Sequence, residues 1–278
     1  MTEAPFLSRQ ERFDVVGSTN DVVRGWLAEG SPEVCLAVAD EQSAGRGREG
    51  RRWLAPAGAS LLLSLGFRPA RIAPERAWRL AACVSLAMAD AAEDVAGMGD
   101  GAIRLKWPND LVIDSPDGVR KLAGVLGESD GLGSDDPRVV IGIGINADWR
   151  RDAFPPDLAG VMTSLRDATG GRPIDRGRLL DGFLNRLETR VEALREGWFA
   201  IGDWTDRQLT TGRLVRLELP DGTIEDARAV GVDAPSGGLV VEDAASATGE
   251  RIVHSAEIRH VRLATRPAET AEIAAAGV

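Results

Sequence analysis

The sequence predicts an α+β domain followed by a small all-β module, and three observations lead there. Helical and strand-like segments do not alternate as βαβ units over the first two hundred or so residues. Two strand-like segments are joined by the tight turn Ser115-Pro116-Asp117-Gly118, as an antiparallel hairpin requires. Beyond Trp204 the pattern changes to short strands cut by turns such as Asp221-Gly222 and Pro235-Ser236-Gly237-Gly238, which suits a small barrel.

Taken in order, Ser18 stands at the N-cap of a short helix over 19–28, with Asp21 in its first turn and Val22, Val23, Trp26 and Leu27 as its apolar series. Residues 34–39 read as a buried strand, 41–52 as a Gly- and Arg-rich loop without periodicity, and 59–67 as a second strand. Pro74 opens a long helix through Ala96, its apolar face carried by Trp78, Leu80, Ala81, Val84, Leu86 and Met88. Strands follow at 103–107, 111–113, 121–126 and 139–145. A second long helix at 179–194 presents Leu179, Leu180, Phe183, Leu184, Leu187, Val191 and Leu194. The module's strands fall at 214–219, 224–232, 239–242 and 251–254. The domains are therefore expected at 1–209 and 210–264, with Ala-rich 265–278 as a fraying tail.

Composition narrows the chemistry. The longest apolar run, near 61–67, is far short of the ~20 residues of a membrane helix, and 1–11 is too polar for a signal peptide, so a cytoplasmic protein with no membrane partner is expected. Thirty-three basic against 43 acidic residues give a net charge of −10, which repels polyanions and argues against a nucleic-acid partner. Cys35 and Cys83 are isolated from each other and from His254 and His260, so neither a zinc site nor a disulfide framework is offered, and a histidine-based nucleophilic centre is disfavoured. Lys106 and Lys121 are the only lysines; every other base is arginine. A chain so biased keeps lysine where a compact ammonium cannot be replaced by a planar guanidinium, although survival on a surface is the plainer account.

Gly45-Arg46-Gly47-Arg48-Glu49-Gly50 satisfies the dinucleotide spacing G-x-G-x-x-G, but 51–60 contains Pro56 and Gly58 and runs into a strand instead of the helix such a turn must feed. What remains is four arginines, Arg46, Arg48, Arg51 and Arg52, interleaved with glycines that let backbone N–H groups approach a ligand. A polyphosphate suits that loop; a solvated loop or an RG-type nucleic-acid contact are the alternatives. Trp53 is placed to stack on an adenine or to anchor a core. Lys106-Trp107-Pro108-Asn109-Asp110 and Arg120-Lys121-Leu122-Ala123-Gly124 lie on neighbouring strands if the hairpin pairs as read, so the two lysines face one pocket. The glycines of Gly142-Ile143-Gly144-Ile145-Asn146 mark close approach of backbone or ligand.

With Ser18-Thr19-Asn20 ahead of them, these segments occur in an order and spacing that resemble the biotin protein ligases, over about residues 13–263. The resemblance implies a class II synthetase-like mixed sheet with flanking helices and an SH3-like C-terminal barrel. It implies a reaction in which ATP and biotin give biotinyl-5′-AMP, with Mg²⁺, and the biotin then passes to a lysine of a carrier domain of acetyl-CoA carboxylase or a related carboxylase. About a dozen residues precede the first matched segment, so the form without a DNA-binding domain is expected; a homodimer is left open. By motif position, Lys121, Arg48, Asp110 and Lys106 are the catalytic candidates, Asp110 to orient or deprotonate the incoming amine. Ser18, Thr19, Asn20, Gln42, Arg46, Gly47, Arg48 and Lys121 are the biotin candidates, and Arg48, Arg51, Trp53, Asn109 and Asn146 those for ATP. Glu49 departs from the basic residue that many bacterial members carry. A lipoate or octanoate ligase is the nearest rival, and a non-catalytic biotin sensor the rival of another class.

Overall fold

A computed structural model describes residues 6–116, 118–255, 258 and 260–263. Strands β1 (Arg9–Val16), β2 (Cys35–Gln42), β3 (Ser60–Phe67), β4 (Ile103–Lys106), β5 (Asp110–Ser115), β6 (Gly118–Asp130) and β7 (Arg138–Asn146) form one sheet in the order β1-β2-β3-β7-β6-β5-β4. Only the β1–β2 pairing is parallel, so the sheet is mixed. The expected hairpin is present, with Ser115 opposite Gly118.

Strand alternation sorts the side chains between two faces. Leu61, Leu63, Leu65 and Phe67 of β3 and Val139, Ile141, Ile143 and Ile145 of β7 enter the main core with helices α2 (Trp78–Ala96) and α4 (Arg176–Arg195). On the other face lie Ser64, Gly66, Gly142, Gly144 and Asn146. Helix α1 (Thr19–Ala28) covers one end of that face, packing Val23, Trp26 and Leu27 on Cys35, Ala37 and Val140. It comes so close that a Cβ at Gly66 would lie 2.6 Å from the Cys35 sulfur and 2.7 Å from Val23. Both cysteines are buried free thiols.

The differences from the sequence reading have physical reasons. Strand β1 carries no sequence signal because it is an outer strand, polar and mostly exposed, with no alternation. Pro74 begins a separate single turn (Pro74–Arg76), and the helix itself starts at Trp78. Helices α3 (Leu165–Ala168) and α5 (Ile201–Asp206) are too short to show a period.

Strands β8 (Leu214–Glu218), β9 (Ile224–Val232), β10 (Leu239–Glu242), β11 (Glu250–Val253) and β12 (His260–Leu263) form an antiparallel sheet in the order β11-β10-β9-β8-β12. Among the described residues this sheet is not closed into a barrel. Its core of Val215, Leu217, Ala229, Leu239, Val241, Val253, Ile258 and Val261 is completed by Trp107, which arrives from the β4–β5 hairpin. The Trp107 indole donates to the carbonyl of Gly237 at 3.0 Å, and its backbone N–H donates to Thr210 Oγ1 at 3.0 Å. Trp78 of α2 adds a third tie, donating to the Pro235 carbonyl at 3.2 Å. Residues 207–209 run beside β4, with the Leu105 N–H on the Arg207 carbonyl and the Leu209 N–H on the Leu105 carbonyl. Arg207 in turn is clamped by Glu93 and Asp90 of α2. The expected tail at 265–278 lies outside the described residues.

Candidate active site

A cleft of about 1280 Å³ opens over the glycine-bearing face of the main sheet, lined by α1, the 42–54 loop, the β4–β5 hairpin, β6, β7, the 158–162 segment and β12. Strand register sets Lys106, Asp110, Gly124 and Gly144 side by side across β4, β5, β6 and β7. The glycines make a floor on which side chains from other elements lie. A Cβ at Gly144 would come within 2.6 Å of the Trp53 indole, one at Gly124 within 3.1 Å, and one at Gly142 within 2.1 Å of Asn20 Oδ1. The expectation of close approach at these glycines therefore holds, and the neighbours are Trp53 and Asn20.

The two lysines do share one pocket. Lys121 Nζ is 2.5 Å from Asp110 Oδ1 and Lys106 Nζ is 3.6 Å from Asp110 Oδ2, so one carboxylate bridges two ammonium groups. The trio carries a net positive charge at the bottom of the cleft. Burial pushes the Lys106 ammonium below its ordinary pKa, opposed by Asp110 and reinforced by Lys121. Lys121 Nζ also lies 5.6 Å from the Trp53 ring centre, within cation–π range. Among the described residues the buried Trp53 indole N–H has no hydrogen-bond partner.

At the other end of the cleft lies a row of uncharged polar groups. Gln42 Oε1 accepts from the Thr19 backbone N–H at 2.8 Å and sits 3.0 Å from Thr19 Oγ1; Thr19 Oγ1 is 2.6 Å from Ser64 Oγ, which is 2.6 Å from Asn20 Oδ1. Asn20 Nδ2 donates to Glu128 at 2.6 Å. Three oxygen–oxygen contacts are thus served by two hydroxyl protons, with a carbonyl acceptor at each end. Whichever way the hydroxyls turn, one contact lacks its proton. An oxygen left without a proton in this way is free to accept an N–H from a ligand. Ser18 is the N-cap residue of α1 but makes no side-chain cap bond, which leaves its hydroxyl to the cleft.

The four arginines of the loop line one cleft but point to different protein partners. Arg46 is turned to Asp21 of α1, donating at 2.7 Å from each terminal nitrogen, and lies 3.7 Å from Glu128. Arg48 reaches the C-terminal module and donates to the carbonyls of Ser255 and Ile258. Arg51 donates to the Arg48 carbonyl at 3.2 Å and Arg52 to that of Ser43. Each guanidinium has its own carbonyl or carboxylate, because a bare cluster of like charges repels itself. Burial lowers the Arg48 pKa, while its hydrogen-bonded carboxylate raises that of Arg46. Gly45 has no room for a Cβ, which would meet the Trp53 carbonyl at 2.7 Å, and Glu49 is held at φ 56°, in the left-handed region. Gly47, Arg51 and Trp53 line the cleft with Arg46 and Arg48.

Asn109 and Asn146 line the cleft with their amides engaged: Asn109 Nδ2 on the Val125 carbonyl, Asn146 Nδ2 on that of Thr163, and Asn146 Oδ1 accepting from Ser60. Sequence reasoning missed Ser64, Glu128 and Asp21, since a serine in an apolar strand and acids near element ends carry no distinctive pattern. It missed Arg213 and Arg262 of the C-terminal module, which also line the cleft. Among the described residues no cluster of three or more His, Cys, Asp or Glu is placed to hold a metal ion.

Comparison with known proteins gives three concordant findings. Residues 13–146 match the model of the biotin/lipoate A/B protein ligase family. The chain is 33% identical over 257 residues to a biotin–[acetyl-CoA-carboxylase] ligase of Mycobacterium tuberculosis, covering 90% of each, and 34% identical to the bifunctional ligase/repressor BirA of Escherichia coli, covering 76% of this chain and 62% of that one. The solved biotin protein ligase of Aquifex aeolicus in complex with biotin and ATP superposes with a TM-score of 0.74 at 26% identity, covering 93% of this chain and all of that one.

Proposed function

This chain belongs to the biotin protein ligase family, and from that premise we propose that its cleft activates biotin with ATP and transfers it to a lysine of a biotin carboxyl carrier domain. The observation that carries this reading is the pairing, in one cleft, of a polar row short of one N–H donor with a two-lysine centre of net positive charge. Biotin's urea supplies two N–H donors for the row and its carboxylate an anion for the lysines. A lipoyl ring offers the row no donor at all.

A carboxylate is already ionised at neutral pH, so attack on the α-phosphorus of ATP needs no general base. Its obstacle is repulsion between anions, which positive charge and alignment relieve. Lys121 is assigned to the biotin carboxylate and the acyl-phosphate oxygens, and Lys106 to the α-phosphoryl group. Arg46 and Gly47 would act through their backbone at the mouth of the biotin pocket. Arg48 and Arg51 would meet the phosphates and Trp53 the adenine, with Asn109 and Asn146 at the nucleotide's edge. Pyrophosphate leaves, and the carrier amine then attacks the mixed anhydride and expels AMP. Asp110, ion-paired with two ammonium groups, would space the lysines and orient the incoming amine. Mg²⁺ favours phosphate oxygens, so it would arrive with the nucleotide, with Asn109 and Asn146 as the neutral side chains at that edge; when bound it would neutralise phosphate charge. We take 1–209 as the catalytic unit and 210–264 as its accessory unit.

Incubation with labelled biotin, ATP, Mg²⁺ and a biotin carrier domain should place label on the carrier lysine, and titration calorimetry should show binding of biotin but not lipoate. Label without transfer, or lipoate binding as tightly as biotin, overturns the assignment.

A further inference from the structure

Glu128 does not line the cleft, yet it decides the polarity of a row whose Thr19, Asn20 and Gln42 do. Its Oε2 accepts from Asn20 Nδ2 at 2.6 Å, and its Oε1 is held 2.7 Å from Arg24. A carboxylate has no proton to give, so Asn20, only 4% exposed, must turn its nitrogen toward Glu128 and its oxygen toward Ser64. That orientation makes the Asn20 end of the row an acceptor and leaves the row one proton short. We propose that Glu128 is a positioning residue which, through Asn20, creates the demand for a urea N–H and so selects biotin over isosteres lacking that donor. The assignment rests on the reading of the previous section.

The argument predicts an inversion. In Glu128→Gln the Arg24 guanidinium, 2.7 Å from Oε1, outweighs that of Arg46, 3.7 Å from Oε2, and keeps the amide oxygen on its side, so the amide nitrogen faces Asn20. Asn20 then turns its own oxygen toward position 128 and its nitrogen toward Ser64. The row gains its missing proton from within, and a ligand N–H is no longer required. A site built around a specific donor rejects an analogue without it far more strongly than a self-satisfied one does.

The test compares biotin with the two cyclic carbamates in which oxygen replaces one urea N–H, using kcat/KM for adenylate formation. Wild-type protein should prefer biotin over both. Glu128→Gln should lose at least tenfold of that preference against one carbamate, with KM for ATP within about twofold of wild type. In an Asn20→Ala background the same change at position 128 should leave the preference unaltered. Should Glu128→Gln fail to fold, Glu128→Met, which also abolishes the enforced orientation, carries the same comparison. An unchanged preference in the variant, an ATP KM that moves with it, or an equal effect in the Asn20→Ala background overturns the assignment. Wild-type protein that forms no adenylate from biotin overturns the function proposed above, and this assignment with it.

Discussion

Lys106 shows how one side chain sets a measurable limit on the enzyme. Its ammonium is largely but not fully buried and is pushed below its ordinary pKa, so the positive charge is lost earlier on the alkaline side than for a free lysine. The unfolded chain holds that proton more tightly, so between the lowered and the ordinary pKa the unfolded state binds more protons and stability rises with pH, whereas activity that needs the cation falls. Adenylate formation should therefore decline on the alkaline limb in wild type, and Lys106→Arg should move that limb to higher pH even if the plateau is lower. Stopped-time assays across the alkaline range decide this. Lys121→Ala should slow adenylation by about two to three orders of magnitude, in line with loss of a preorganised charge at a developing anion, with the melting temperature little changed. Gly144→Ala would set a methyl 2.6 Å from the Trp53 indole and push the ring off its floor, raising KM for ATP at least tenfold while KM for biotin holds. Scarcity made the two lysines visible in the sequence. Glu128 was invisible, because an acid near the end of a strand looks like any solvated one and its partner Asn20 is 108 positions away.

At the scale of elements, the parts that position the site were legible wherever a single face is buried. The helix at 19–28, the strands over 224–232 and 239–242 and the hairpin turn all appear with the bounds or pairing that their patterns gave. Strand β1, buried on neither face, gave no such pattern. The order of the sheet was equally hidden, because β3 pairs with β7 across a separation of some eighty residues that no local signal encodes. The β4–β5 hairpin holds two catalytic candidates, and between them Trp107 points into the other module's core. Trp107→Ala should cost about 3–5 kcal/mol, the range for emptying a buried aromatic site, and should lower adenylation as well, since Lys106 loses its fixed neighbour. Denaturant titration and single-turnover kinetics on one variant separate the two effects. If stability falls and the adenylation rate of the folded fraction does not, the hairpin is positioned by the main sheet alone.

At the scale of the molecule, the division near 209/210 that the sequence suggests is a change of pattern more than a gap. Residues 207–210 are hydrogen-bonded along β4 and its hairpin, Trp78 and Trp107 hold the 235–237 turn, and Arg48 grips two carbonyls of the C-terminal module. Heating should therefore give one cooperative transition, with equal calorimetric and van't Hoff enthalpies, instead of two. Two resolved transitions would show that these ties are weaker than the internal cohesion of either part. The overall negative charge, by contrast, says little about the cleft, where local lysines and arginines outweigh it.

Trp107 thus belongs to one module by its place in the chain and to the other by its packing. Excised on its own, the final segment would be left with a hole where that indole sits, and grafted onto a foreign catalytic half it would find no plug. Exchanging that segment between relatives should succeed only when the tryptophan and the Gly237 carbonyl that receives it travel as a pair.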